Sequence, residues 1–209
     1  MITISPSARL IRSPFFQSTV DDGVTSFTLY NSMFLPTSFG NPEEEYWRLK
    51  NGVSMWDVAV QRQVQLKGKN AAQLAQILCP RDISKMQIGQ GKYIPLCNHS
   101  GILINDPVLL KIDEDCFWFS IADSDVWLWA HAINNERQLN VEICEPEAAP
   151  LAIQGPRAED LVAEIIGNWV RDLKYFWFKP TEIEGIPILV SRSGYSKQGG
   201  FEIYLLNKK

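Results

Sequence analysis

Three glycines, Gly194, Gly199 and Gly200, fall between two runs patterned as interior strands, "IPILVSRS" and "GGFEIYLL". A phosphate-cradling loop or a dinucleotide fingerprint needs its glycines at a strand-to-helix turn, where free N–H groups meet an anion. No helix pattern follows these glycines, so both nucleotide-binding architectures are excluded and a β-hairpin is predicted. Gly199 and Gly200 would supply the positive backbone angles that Lys or Gln adopts only at a cost.

The rest of the chain has a mixed rhythm without repeats. "VAVQRQVQLKG" alternates Val58, Val60, Val64 and Leu66 on one face, predicting a single half-buried strand. Asn70 is read as the cap of a helix with Leu74, Ile77 and Leu78 at helical spacing. "KYIPLCNHSGILI" predicts two strands around a turn at Asn98–Gly101, and "PVLLKIDEDCFWFSIA" a hairpin turning at Asp113–Asp115. A helix capped by Asp123 or Ser124 and a strand "NVEICE" close this middle section. A second unit begins at "APLAIQGPRAEDLVAEII", a strand, a Gly155-Pro156 turn and a helix burying Leu161, Ile165 and Ile166. Phe27, Leu29, Met33, Phe34 and Leu35 near the N-terminus are too apolar to remain in water. The pattern is α+β, two split β-α-β layers.

Composition narrows the function. At 209 residues the chain suffices for one large domain or two small ones, and its 45% apolar and 21% charged residues suit a soluble globular protein. A net charge of −4 with no Lys/Arg cluster argues against nucleic acid. No run reaches membrane-spanning length and the start lacks a signal-peptide core, so a cytoplasmic protein is expected. Cys79, Cys97, Cys116 and Cys144 lack metal-knuckle spacing and are read as buried reduced thiols, and with only His99 and His131 no metal site is expected. No Ser or Cys elbow motif accompanies either His, so neither is assigned to catalysis. Asp106 is the anomaly: a carboxylate between Ile104-Asn105 and Pro107-Val108 is either bonded to its own backbone in a turn or faces a ligand cavity.

Four segments in order, "GQGKY", "GILIND", "AIQGP" and "RSGYSKQGGFEI", resemble the glycine cleavage T-protein (aminomethyltransferase) family. That family carries Gly-Gln-x-x-Tyr, Gly-Ile-Ile-Asp-Asp, Leu-Gln-Gly-Pro and Arg-Thr-Gly-Tyr-Thr-Gly-Glu-Asp-Gly-Phe-Glu-Ile. The departures "GYSKQGG", "YNSMFLPTSFG", "ADSDVWLWA" and "LKYFWFKPTEI" look more like its dimethylsulfoniopropionate demethylase branch. The resemblance implies the T-protein folate-binding fold, with 1–55 plus 146–209 as a discontinuous first domain and 56–145 as an inserted second one. It implies methyl transfer from a sulfonium to tetrahydrofolate, leaving 3-methylmercaptopropionate; the alternatives are an aminomethyltransferase proper and a non-catalytic folate-binding protein. Relatives continue into a C-terminal β-rich domain, so a truncated product lacking that domain is expected from the end at "LLNKK".

By the same resemblance, Tyr93, Asp106, Tyr195 and Glu202 are folate contacts, with Phe176 and Trp177 as ring-packing partners that read equally well as sheet core. Asp106 and Tyr195 are assigned to catalysis. Aromatic faces suit a sulfonium, which points to Trp177, Tyr195 and Tyr30, and the substrate's carboxylate needs a cation, Lys197 first and Arg192 second. The family has Gly where Lys197 stands. Expected partners are the small-molecule methyl donor and folate, with a homodimer as the oligomeric option.

Overall fold

A computed structural model describes residues 6–206. Helix α1 (Phe16–Asp21) leads into the hairpin β1 (Ser26–Tyr30) and β2 (Met33–Ser38). Asn31 and Ser32, both at positive φ, make its two-residue turn. Met33 is buried, but Leu29 stays exposed, against expectation, because its face of this two-stranded ribbon has no layer above it. Helix α2 (Pro42–Asn51) starts at Asn41, whose side chain accepts from the Glu43 N–H, with Pro at the first helical position.

Strand β3 (Ser54–Asp57) and strand β4 (Gln63–Lys67) replace the single predicted strand. Val58 and Val60 lie in the turn between them. The Asp57 carboxylate accepts from the Ala59 N–H and bends the chain out of one sheet toward the other. Next come α3 (Ala71–Leu78), β5 (Gly91–Tyr93), β6 (Leu96–Cys97), β7 (Leu103–Asn105), β8 (Val108–Asp113), β9 (Cys116–Ser120), α4 (Val126–Arg137) and β10 (Glu142–Cys144). Asn70 flanks α3 without a capping bond, its amide donating instead to the Leu139 carbonyl, and Ile77 faces solvent. Asp125, rather than Asp123 or Ser124, caps α4 by accepting from Leu128 N–H. The chain closes with β11 (Ala148–Gln154), α5 (Ala158–Ile166), β12 (Phe178–Ile183), β13 (Ile186–Ser191) and β14 (Gly200–Leu206). On α5 the buried residues are Ala158, Val162 and Ala163; Ile165 is exposed.

Two five-stranded antiparallel sheets result, β12-β13-β14-β11-β3 and β10-β4-β9-β8-β5. Alternation along β14 sends Phe201 and Ile203 toward α5 and sends Tyr204 toward the other sheet. There Tyr204, Leu189, Phe178 and Ala148 pack on Leu110, Cys116 and Trp118. The glycines of "GQGKY" permit close passage: a Cβ at Gly91 would stand 3.2 Å from the Phe176 carbonyl, and the Gly91 N–H donates to that oxygen. The segment Phe176–Phe178 thereby links the sheets, and Phe178 rather than Phe176 or Trp177 enters the core. All four cysteines are free; Cys79 and Cys116 are buried, whereas Cys97 and Cys144 are only half-buried. Asn207, Lys208 and Lys209 of "LLNKK" lie outside the described residues.

Candidate functional site

The polar residues sort into an outer and an inner group. Asp106 lies in the two-residue link between β7 and β8, not within a strand, and the following Pro107 keeps it extended. Register pairs Tyr93 with Val108, which brings the Tyr93 ring back over this link. Its hydroxyl donates to Asp106 Oδ2 at 2.7 Å, so the carboxylate faces a neighbouring strand instead of its own backbone. That bond is the main reason the Tyr93 phenol is pushed up, with burial and the charges of Asp106 and Tyr195 adding to it. Burial likewise pushes Tyr30 up, and Asp123, Asp106 and Tyr195 act in the same direction against a bond from the Asp123 backbone. Asp106 and Tyr195 thus lie within electrostatic reach of both Tyr30 and Tyr93. The structure brings these four candidates together, around a mouth where Tyr195 is 95% exposed and Tyr93 48%.

Three residues that sequence reasoning missed fix this mouth. Buried Asn105 donates to the Ala122 carbonyl and Ser124 Oγ and accepts from the Ala122 N–H. Asp123, held on that segment, accepts from the Asn31 N–H at 2.8 Å. Asn31 in turn donates to the carbonyls of Val60 and Ala122, which anchors the end of β1 carrying Tyr30. A cleft of about 380 Å3, lined by Asn31, Arg62, Asp123, Trp127 and others, opens beside them. The one sequence signal for the bracing was Asn-Ser between two apolar runs, a two-residue turn signature.

The inner group surrounds Glu202, which is 6% exposed in the middle of β14. Ser193 Oγ donates to Glu202 Oε2 at 2.6 Å, and the Tyr204 hydroxyl reaches the same oxygen at 3.4 Å. Glu202 Oε1 has no hydrogen-bond partner among the described residues. Burial pushes the carboxyl up against those two donors, and Tyr204 is driven well up by its own burial and by Glu202. The chain of polar side chains continues from Tyr204 to Ser120 and from there to Gln63, whose Nε2 donates to Ser120 Oγ. Gln63 Oε1 is buried without a partner among the described residues. Glu202 Oε1 and Gln63 Oε1 are thus two acceptors left without a donor among the described residues.

Lys197 and Arg192 do not join the outer group. They line a separate cavity of about 220 Å3 with Gln154 and Tyr175. Lys197 sits in the left-handed region at φ 59°, a position that Gly would fill without strain. The Arg192 guanidinium is already engaged: it pairs with Glu159, donates to the carbonyls of Arg171 and Leu173, and lies over Phe201. Phe176, also left-handed, and Trp177 are half-buried, their backbones bonded to Arg192.

The GCVT N-terminal domain family model matches residues 16–209. The dimethylsulfoniopropionate demethylase DmdA of Ruegeria pomeroyi is 43% identical over 205 residues, which are 98% of this chain and 56% of that protein. An aminomethyltransferase of Bacillus mycoides is 32% identical over 176 residues, 81% of this chain and 47% of that one. The crystal structure of glycine cleavage system aminomethyltransferase T from Bartonella henselae shares the fold, with a TM-score of 0.78 at 22% identity over 94% of this chain and 54% of that one. The chain thus spans about half the length of these relatives.

Proposed function

Because the chain belongs to the GCVT N-terminal domain family, we propose that it serves tetrahydrofolate-dependent demethylation of dimethylsulfoniopropionate, giving 3-methylmercaptopropionate. The likeness to the demethylase along nearly the whole chain carries this reading. The acceptor at Glu202 agrees with it: its two side-chain bonds both fall on Oε2, and a reduced pterin offers amino and ring N–H donors for Oε1. When bound, tetrahydrofolate supplies the secondary amine that accepts the methyl group.

Each candidate residue then has a task. Glu202 holds the pterin end, and Tyr195, Phe176 and Trp177 offer ring faces to it. Tyr30, Tyr93 and Tyr195, with Asp106 nearby, form an aromatic mouth suited to a cation, each cation–π contact contributing about 0.5–2 kcal/mol. A sulfonium is an activated donor, so no side-chain nucleophile is needed and orientation dominates. Methylation of a secondary amine would release one proton, and we assign Asp106 as the carboxylate that would take it. Lys197 remains the candidate cation for the substrate carboxylate, and Arg192 the weaker one because Glu159 already neutralises it.

We also read 1–55 with 146–209, and 56–145, as two units, the first boundary shifting past Asp57 where β3 ends. Support comes from the sheets, which share no strand. The reading extends to a cytoplasmic enzyme with small-molecule partners and, as an option, a homodimer; no helix among the described residues is long and apolar enough to cross a membrane. An assay with tetrahydrofolate decides the chemistry. Methylmercaptopropionate from dimethylsulfoniopropionate is the expected product, and ammonia release from an aminomethyl-lipoyl carrier with no demethylation would overturn the assignment.

A further inference from the structure

We propose that Ser193 is a positioning residue for Glu202: with Tyr204 it occupies one carboxylate oxygen and leaves the other as a fixed acceptor for a ligand N–H. The inference rests on the folate reading of this site.

Bond direction follows from proton counting. A serine hydroxyl carries one proton and an ionised carboxylate only accepts, so Ser193 donates its hydrogen bond to Glu202 Oε2. Ser193 Oγ also stands 2.9 Å from Ser191 Oγ, which makes a short chain of polar groups Ser191–Ser193–Glu202. The backbone of Ser193 is clamped as well. Gln154 Nε2 donates to its carbonyl at 2.9 Å. At Gly194 a Cβ would stand 2.1 Å from the Gln154 amide, so the loop lies directly against that side chain. The serine hydroxyl is thus held in place from its neighbours on both sides of the chain, and the carboxylate is held by the hydroxyl.

No charged side chain among the described residues bonds to Glu202. The groups facing it are Ser193 from the loop, Tyr204 on its own strand and, through Tyr204, Ser120 on β9; Ser191 on β13 and Ala152 on β11 flank it in register. Losing the Ser193 hydroxyl therefore removes the shorter of two donors that favour the charged carboxylate. Its titration midpoint rises, and ligand binding fails at a higher pH on acidification.

Two readouts test this on the full chain: 13C NMR of labelled Glu side chains across pH, and tryptophan fluorescence on titration with tetrahydrofolate. Glu202→Gln identifies the Glu202 resonance. Ser193→Ala is expected to raise the midpoint and weaken tetrahydrofolate about tenfold, most at low pH, with Ser193→Thr restoring both to near wild type. Tyr204→Phe should shift the midpoint the same way, by less. A midpoint unmoved in Ser193→Ala overturns the positioning role, whatever the ligand does. A wild-type chain with no saturable response overturns the folate reading and the ligand half of the proposal. The midpoint then decides the positioning half by itself.

Discussion

Glu202 sits in an interior strand where every other inward position is apolar or hydroxylated, and its burial has a consequence for stability. Desolvation raises the carboxyl above its unfolded value, against Ser193 and Tyr204. A folded-state value raised in this way favours folding below the unfolded value, and that advantage is lost as pH rises through the folded value. Glu202→Gln should therefore stabilise the chain at pH 8, by about 1–2 kcal/mol. The difference should narrow toward pH 5 in urea unfolding curves compared at the two pH values. Asp57, raised by burial against Ser13 and the Ala59 N–H, titrates in the same direction and remains in both proteins, so it cancels from the comparison. The sequence displayed Asp106 as an isolated carboxylate among apolar neighbours, and the Tyr93 bond explains it. It did not display Ser193, because a serine hydroxyl in a loop has no pattern that separates a carboxylate's partner from a solvated turn.

Among the elements, the β13–β14 connection shows how far a local reading reaches. It is a hairpin, as its glycines indicated, but Arg192–Gly199 form a folded loop, and Lys197 shares the left-handed conformation assigned to glycines alone. Gly200 is there for space as much as for its angle. A Cβ would stand 2.1 Å from the Ile153 carbonyl, whereas Gly185 in the β12–β13 turn has nothing within 4 Å. Gly200→Ala should cost about 3 kcal/mol or more, and Gly185→Ala only about 1 kcal/mol for its positive φ, as measured by denaturant midpoints. The helix α4 carries a similar contrast. Asp125→Ala removes the bond to Leu128 N–H and should cost about 1 kcal/mol. Reading the cap as Asp123 or Ser124 failed because three adjacent cap-forming residues are equivalent on paper, and Asp123 is taken by Asn31. The merged strand over Val58–Leu66 failed for a related reason. Period-two alternation continued through Val58 and Val60 while the hydrogen-bonding partners changed sheets at the Asp57 turn.

For the whole molecule, what matters is whether two sheets without a common strand behave as one body. The order of motifs along the chain conveyed the α+β class but not which faces meet, since facing sheets are joined by residues far apart in sequence. Here the contact is an apolar layer, Leu110, Cys116 and Trp118 on one side and Tyr204, Leu189 and Phe178 on the other. Leu74, by contrast, lies in the core between α3, α4 and the second sheet. Truncating either leucine should cost about 2–5 kcal/mol, because both are fully buried and leave a cavity. The distribution of that loss separates two behaviours. If the shared layer couples the sheets, Leu74→Ala lowers one common transition, seen alike by far-UV circular dichroism and tryptophan fluorescence. Leu110→Ala should do the same and also weaken the seating of Tyr204 against Ser120, so tetrahydrofolate affinity falls with Leu110→Ala and holds with Leu74→Ala. Two separated transitions in Leu74→Ala would instead mean that the sheets fold as independent units, with the polar chain from Gln63 to Glu202 assembled only when they dock.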